Sequence, residues 1–423
     1  MPRFTESPTD RPGRALKPVV RWPAARVLFA NPKILRVRPS LSLPLLRYMK
    51  KFRLRDVGGN LILHSHLPPL NSAAYGRFVA GHLLGRSEGP SHAQIGLTNA
   101  CPQKCAYCYN RDRTGRPMDT ETILAVVRGL RELGVFWLGL TGGEPLLNPD
   151  IVTITAAAAD GCAVKLFTTG SGLTPGLARD LKRAGLFSVS VSLDHWKEDI
   201  HDAARGTPGA FRTALRAVDI FRGVDGLHTG VSAVLTRDMI RRGETEEFLE
   251  FLIGLGVDEA WLSEVKLVSA PLWNDEARIS EAERLSLAAL QDHVNREGRI
   301  TVNYLGHFEG REHFGCNAGR KMVYVDAFGD VSPCVFTPMT FGNVHRRALG
   351  EIVEEMRRSF RPSGSCFMNT NYRLFAERGA AALPLDREAS RGLCGEAIFE
   401  PTGAFSDGLF GGEKRDEGGR KNG

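Results

Sequence analysis

Three cysteines stand at C-x3-C-x2-C spacing in the run Cys101-Pro-Gln-Lys-Cys105-Ala-Tyr-Cys108. Three thiolates on one short loop can hold three corners of a cubane iron–sulfur cluster, whose ligands are normally Cys. The loop supplies no fourth. A structural site closes its coordination sphere, whereas a site that does chemistry keeps a position open, as zinc enzymes also show. A zinc knuckle is the alternative, and it needs a fourth Cys or His close in space. The next His downstream is His195, and His92 falls at the far end of the strand that leads into the loop. With eight Cys in 423 residues, two more at fixed offsets from a given Cys arise by chance well under about 1 % of the time.

The segments that must position this loop alternate strand and helix. Strand patterns cover Ala93–Asn99, Val135–Leu140, Ala163–Thr168, Phe187–Leu193, Thr229–Leu235 and Glu259–Val265, and Phe187-Ser-Val-Ser-Val-Ser-Leu193 alternates with period two. Helical spacing covers Asp119–Leu133, Pro175–Ala184, Ala210–Phe221, Glu247–Leu255 and Glu281–Val294. A further helix is expected to follow Asn148-Pro149, a good cap and first-turn pair. Six βα units in sequence imply an α/β fold with a parallel sheet and right-handed crossovers.

The cysteine run, with an aromatic Tyr107 before its last Cys, resembles the radical S-adenosylmethionine (SAM) superfamily. So do Leu140-Thr-Gly-Gly-Glu-Pro145, Ser192-Leu-Asp194 and Arg205-Gly206, which follow it in the order that family uses. The resemblance covers roughly residues 90 to 305. It implies that the sheet curls into a partial (β/α)6 TIM-like barrel. Parallel β/α barrels carry their sites at the C-terminal ends of the strands, and all three motifs follow strand patterns. It also implies a 4Fe–4S cluster whose open iron is chelated by SAM, and reductive cleavage of SAM to a 5′-deoxyadenosyl radical. Cys101, Cys105 and Cys108 would hold the cluster. Gly142 and Gly143 lack side chains and let backbone approach the ligand. Glu144 would accept from the SAM ammonium. Ser192 and Asp194 suit ribose hydroxyls, Arg205 suits the methionine carboxylate, and Tyr107 contributes backbone near the adenine. The family's Thr-Asn-Gly turn reads Thr168-Thr169-Gly170 here.

Cys162 has the surroundings of an ordinary buried thiol. The last four cysteines form a second group. Cys316, Gly329 and Cys334 sit in a stretch whose Lys321–Val325 and Val331–Val335 read as a hairpin around a Gly-Asp turn. This resembles the opening of the SPASM/Twitch extension, a small α+β iron–sulfur domain. Cys366 and Cys394 would complete four ligands for one auxiliary 4Fe–4S cluster, with a zinc site as the alternative. The expected domains are a basic N-terminal extension (1–89), a radical SAM core (90–305), the auxiliary-cluster domain (306–400) and a disordered tail (401–423).

The composition, 42 % hydrophobic and 24 % charged, is that of a globular protein. The eight cysteines without a secretory segment point to a reducing, cytoplasmic compartment. Residues 1–56 carry fourteen Lys and Arg against three acids, more than the net charge of +7 for the whole chain. Residues 1–20 read as disordered. Residues 41–55 form a basic amphipathic stretch, either packed on the core or lying on an anionic surface; no nucleic-acid motif accompanies it. The functional expectation is an enzyme that abstracts hydrogen from a substrate C–H in a peptide or small molecule, for modification or oxidation. It would be fed by a reductant such as flavodoxin or ferredoxin. A non-catalytic iron–sulfur electron carrier or redox sensor is the alternative, and it would not need the SAM motifs. Glu264 could face the barrel mouth as a base, or be a surface carboxylate paired with Lys266 or Arg278. His195 and His201 could line the same mouth.

Overall fold

The computed structural model describes residue 27 and residues 30–85, 87–311 and 313–410. A short antiparallel hairpin, β1 (Arg55–Val57) and β2 (Asn60–Ile62), precedes the main sheet. That sheet contains β3 (His92–Gly96), β4 (Trp137–Thr141), β5 (Ala163–Thr168), β6 (Leu186–Ser192), β7 (His228–Leu235), β8 (Glu259–Glu264), β9 (Thr301–Tyr304), β10 (Met322–Val325) and β11 (Val331–Ser332). Its order is β11-β10-β3-β4-β5-β6-β7-β8-β9, and every neighbouring pair is parallel except β10 with β11. β3 to β8 are the six strands expected, in consecutive order, which is the partial barrel. β9 was missed because four residues carry too little period-two signal.

The longer helices are α1 (Pro39–Met49), α2 (Thr120–Glu132), α3 (Ile151–Ala159), α4 (Pro175–Arg183), α5 (Glu198–Arg205), α6 (Ala210–Arg222), α7 (Glu244–Leu255), α8 (Glu281–Glu297), α9 (Leu349–Ser359), α10 (Phe367–Arg378) and α11 (Arg387–Glu396). Local chemistry sets their ends. Asp119 caps α2 through Thr122 N at 2.9 Å, and Ser280 with Glu283 forms a capping box on α8. The cap of α3 is Asp150, not Asn148. Asn148 instead accepts from Asp150 N at 2.9 Å and donates to Leu97 O at 3.0 Å, tying this turn to the end of β3.

Strand alternation divides two environments. Val164, Leu166, Val189, Val191 and Val231 face the helices in the main apolar core. The opposite side carries Gln94, Lys165, Ser188, Ser190, Ser192, Ser232 and Trp261, and lines the lumen. The N-terminal extension closes the N-terminal end of that lumen. Trp137 Nε1 donates to Ser65 O at 2.8 Å. Ser65 N and Oγ donate to Glu259 at 2.7 and 2.8 Å. Lys165 reaches Ser65 Oγ and lies 3.6 Å from the centroid of Trp261. Residues 30–85 therefore behave as part of the barrel rather than as an appendage.

Helix α1 buries Leu41, Leu45 and Tyr48. After it, Lys51 pairs with Asp292 at 3.1 Å, and Arg53 donates to Asn295 O at 3.3 Å. The expected disorder of residues 1–20 lies outside the described residues. At the other end, a further helix, α12 (Ala404–Phe410), packs Phe405 on Phe314 with centroids 5.0 Å apart. The expected tail thus starts later than residue 401, and residues 411–423 lie outside the description. The expected C-terminal hairpin forms as β10 with β11, and β10 also pairs with β3, so the extension continues the barrel sheet. No helix of the described residues is long and apolar enough to cross a membrane.

Candidate active site

The cysteine loop leaves β3 and is braced from three sides. Gly143 N donates to Thr98 O at 2.6 Å and Glu144 N to Ala100 O at 2.8 Å. Lys104 N donates to Arg205 O at 2.9 Å. Asn110 donates to Gly142 O at 2.6 Å and accepts from Tyr324 Oη of β10 at 2.8 Å. Arg113, buried, pairs with Asp326 at 3.1 Å and donates to Ser332 at 3.1 Å. The C-terminal extension therefore holds the loop that carries the first three cysteines. Cys101, Cys105 and Cys108 all line one cavity of about 710 Å³. Burial pushes the Cys101 thiol up to about 11 and also raises Cys105, against which Arg205 acts. Cys105 is buried beside the Arg205 guanidinium, Cys108 is half-buried and Cys101 is exposed, so the three thiols face the cavity where bound iron would neutralise them as thiolates. Among the described residues no three His, Cys, Asp or Glu side chains converge closely enough for a single ion. A cubane spreads its ligands over separate irons, so the three-Cys loop fits a cluster better than one zinc ion.

The Gly-Gly turn works differently from the sequence expectation. Gly142 has φ +124°, and a Cβ there would stand 2.4 Å from Thr98 O. A Cβ on Gly143 would stand 2.4 Å from Ala100 O. Both glycines permit close approach to the cysteine loop, while both also line the cavity. Glu144 is fully buried. It accepts from Thr168 Oγ1 at 2.6 Å, Thr169 N at 2.7 Å, Leu146 N at 3.0 Å and Thr169 Oγ1. Burial raises its pKa, against these hydrogen bonds. Its acceptors are occupied by the β5 turn, and it does not line the cavity. In this structure the carboxylate expected to meet the SAM ammonium is shared among these protein donors.

Ser192 lines the cavity. Asp194 does not: it accepts from Arg205 Nη2 at 2.9 Å, from Val234 N at 3.0 Å and from Tyr107 Oη. Arg205 and Tyr107 do line the cavity. Burial pulls the Arg205 pKa down, but Asp194 overcomes this and leaves it above the usual arginine range. Burial and Asp194 together raise Tyr107. Asp194 is thus the anchor that orients a cavity-facing Arg and Tyr, rather than a free ribose acceptor. His195 stacks on Trp196 at 4.0 Å, His201 Nδ1 accepts from Asp194 N at 3.1 Å, and neither reaches the cavity.

Cys316, Cys334 and Cys366 line the far side of the same cavity. Cys316 N donates to Ser363 O at 2.7 Å, Cys334 lies 3.0 Å from Thr337 Oγ1, and Cys366 is the N-cap residue of α10. Burial raises all three thiols; neighbouring Cys residues raise Cys316 and Cys334 further, while Lys266 lowers Cys366. Cys394 is buried within α11, does not line the cavity, and is pushed up to about 12 by burial alone. The expected fourth ligand is therefore not gathered with the other three. The carboxylate beside them is Glu309, held by Lys266 Nζ at 2.7 Å.

Glu264 is buried and multiply bonded. It accepts from Arg284 at 2.9 and 3.1 Å, Tyr304 Oη at 2.8 Å and Asn369 Nδ2 at 2.7 Å, with Lys266 Nζ at 3.5 Å. Burial would raise its pKa, but Lys266 and Arg284 pull it down to about 2. It lines the cavity, as expected of a residue at the barrel mouth, but it does so as a salt-bridged carboxylate that ties β8, β9, α8 and α10 together. It is not a surface carboxylate, and its arginine is Arg284, not Arg278. Thr168 and Thr169 of the Thr-Thr-Gly turn line the cavity, as do Gln103, Tyr109, Asn110, Ser232 and Ser263, to which the sequence reading gave no role. Strand alternation is the signal that could have found Ser232 and Ser263; nothing local marks Gln103.

The radical SAM superfamily profile matches residues 95–253, and an iron–sulfur cluster-binding SPASM domain matches residues 316–374, a span that includes Cys316, Cys334 and Cys366 but not Cys394. The chain is 27% identical over 295 residues to an AdoMet-dependent heme synthase of Methanosarcina barkeri, covering 64% of this chain and 84% of that one. It is 29% identical over 330 residues to a PqqA peptide cyclase of Streptomyces rochei, covering 74% and 86%. Among solved structures, Streptococcus suis SuiB bound to precursor peptide SuiA superposes with a TM-score of 0.53 at 17% identity, covering 71% of this chain and 74% of that one.

Proposed function

Because the chain belongs to the radical SAM superfamily and carries a SPASM extension, we propose that it modifies a peptide by hydrogen abstraction inside the barrel cavity. The cofactors of these domains are a 4Fe–4S cluster with SAM, and an auxiliary iron–sulfur cluster. When bound, they supply a 5′-deoxyadenosyl radical for C–H cleavage and a second redox centre. Cys101, Cys105 and Cys108 would hold the first cluster, and Cys316, Cys334 and Cys366 three corners of the second. The observation that carries this reading is that both cysteine trios line one continuous cavity. A substrate in that cavity would lie between two redox sites without crossing solvent.

The chain's own residues contribute placement. The Gly142-Gly143 backbone and Ser192 offer hydrogen-bonding groups at one wall. Arg205, fixed on Asp194, presents a permanent cation beside Cys105 and suits the carboxylate of SAM. The peptide reading is supported by relatives that act on a peptide or are seen with one, the PqqA peptide cyclase and SuiB. A flavodoxin- or ferredoxin-type reductant would deliver the electron.

The test is anaerobic reconstitution with iron and sulfide, followed by iron counting, EPR and assay for 5′-deoxyadenosine with dithionite and SAM. About eight irons are expected in the wild type and about four in a Cys101/Cys105/Cys108→Ala variant. The SAM-induced change in the reduced signal should vanish in that variant. Iron without any response to SAM would overturn the reading.

A further inference from the structure

The cavity does not stop at the cysteines. It runs down the lumen to His66, His92, Gln94, Trp261 and Phe308 at the end closed by the N-terminal extension. Beside it Gly139 lets Gln94 and Trp137 pack close: a Cβ there would stand 2.9 Å from Gln94 Cγ and 3.1 Å from Trp137.

We infer that this floor recognises a planar, uncharged substrate group bearing a hydrogen-bonding edge, such as a phenol; the inference rests on the proposed reaction only for why such a group would enter. His66 is 5 % exposed. Its ring lies 4.3 Å from Phe308 and 4.9 Å from Trp261, centroid to centroid. Its backbone is fixed by His92 Nε2 on His66 O at 3.1 Å and by His66 N on His64 Nδ1 at 3.2 Å. Neither of its ring nitrogens has a hydrogen-bond partner among the described residues, although Nδ1 itself is closed off from the cavity. Burial, and then His92, holds its pKa well below the usual histidine range, so the ring is neutral. Gln94 faces the same space, and its amide has no partner among the described residues.

Two unpaired polar groups between aromatic walls define what fits. A wholly apolar ring would leave His66 and Gln94 buried and unsatisfied, which is costly. A carboxylate or ammonium would lose its hydration with no counter-ion offered. The nearby cations are directed elsewhere: Lys165 onto Ser65 and toward Glu259, and Lys321 onto the carbonyls of Ser87 and Gly89 at 2.5 and 3.3 Å. A flat ring with an O–H or N–H edge satisfies both the walls and the polar groups.

The experiment uses the reconstituted full chain and three probes: p-cresol, toluene and p-toluate, measured by equilibrium dialysis. p-Cresol should bind about fivefold more tightly than toluene, the worth of one net hydrogen bond, and p-toluate more weakly than either. His66→Phe and Gln94→Leu should each bring p-cresol toward the toluene value while leaving toluene unchanged. Equal binding of p-cresol and toluene by wild type would overturn the inference, as would p-toluate binding as well as p-cresol, or a p-cresol preference that survives both changes. If His66→Phe loses iron on reconstitution, Gln94→Leu alone decides. A wild-type chain that does not cleave SAM would defeat the proposed function while leaving the floor's preference standing.

Discussion

Replacing Glu264 by Gln separates a structural tie from a catalytic base. In the folded protein its carboxyl lies at about 2 instead of 4.5. At 1.36 kcal/mol per pKa unit, that difference corresponds to about 3 kcal/mol of preference for the charged form. Glu264→Gln keeps the shape but leaves Arg284 and Lys266 facing a neutral amide, so the loss of stability should approach about 3 kcal/mol at pH 7. The pH dependence has a definite sign. A carboxyl depressed by folding stabilises fully above its unfolded pKa and loses that contribution as pH falls toward its folded one. The gap between wild type and variant should therefore be constant above about pH 4.5 and close below it. Urea unfolding of the reconstituted chain, followed at several pH values, measures both. A variant as stable as wild type that cleaves SAM but no longer turns over substrate would refute the tie and restore the base.

The second cysteine group gives a sharper count. Cys394→Ser should keep the wild-type iron content, whereas Cys316→Ser, Cys334→Ser or Cys366→Ser should each lose up to about four irons; the reverse pattern would return Cys394 to the ligand set. Gly143→Ala, whose new Cβ would stand 2.4 Å from Ala100 O, should loosen the cysteine loop and lower SAM binding by tenfold or more, about 1.4 kcal/mol, with little change at the auxiliary cluster. Burial holds His64 and His82 at about 4. Groups depressed in this way stabilise fully above about pH 6.5, and the stability is lost as pH falls from there toward 4, by up to about 3 kcal/mol for each. His64→Gln should reduce the fall of the urea midpoint between pH 7 and pH 5, the other buried histidines, His82 and His92 among them, keeping the rest.

Much of the site was legible because its chemistry is local. Three thiolates seven residues apart end to end share a loop whatever the rest of the chain does. Six strands with helices between them dictate a parallel sheet whose C-terminal ends collect the motifs. Alternation along Phe187–Leu193 sets the valines and the serines on opposite faces, because a strand's side chains must alternate, and the structure turns the valines to the helices and the serines to the lumen. The resemblance to radical SAM proteins then supplied roles for single residues, and there local reading ran out. Glu144 and Asp194 have the right chemistry to meet a ligand, but tertiary packing gave their acceptors to Thr168, Thr169, Arg205 and Tyr107. A carboxylate that must be buried is satisfied by whichever donors the fold brings nearest.

Element order, the first cluster loop and the inward face of each strand were determined by the sequence itself, since they depend on spacing and on period alone. Which cysteines assemble at the second site, how the N-terminal segment closes the barrel through Ser65, Lys165 and Glu259, and where Glu264 finds its partners were decided by tertiary structure. Those contacts join residues tens to hundreds of positions apart. Their partners are selected by burial and charge balance in three dimensions, and no local pattern records that selection.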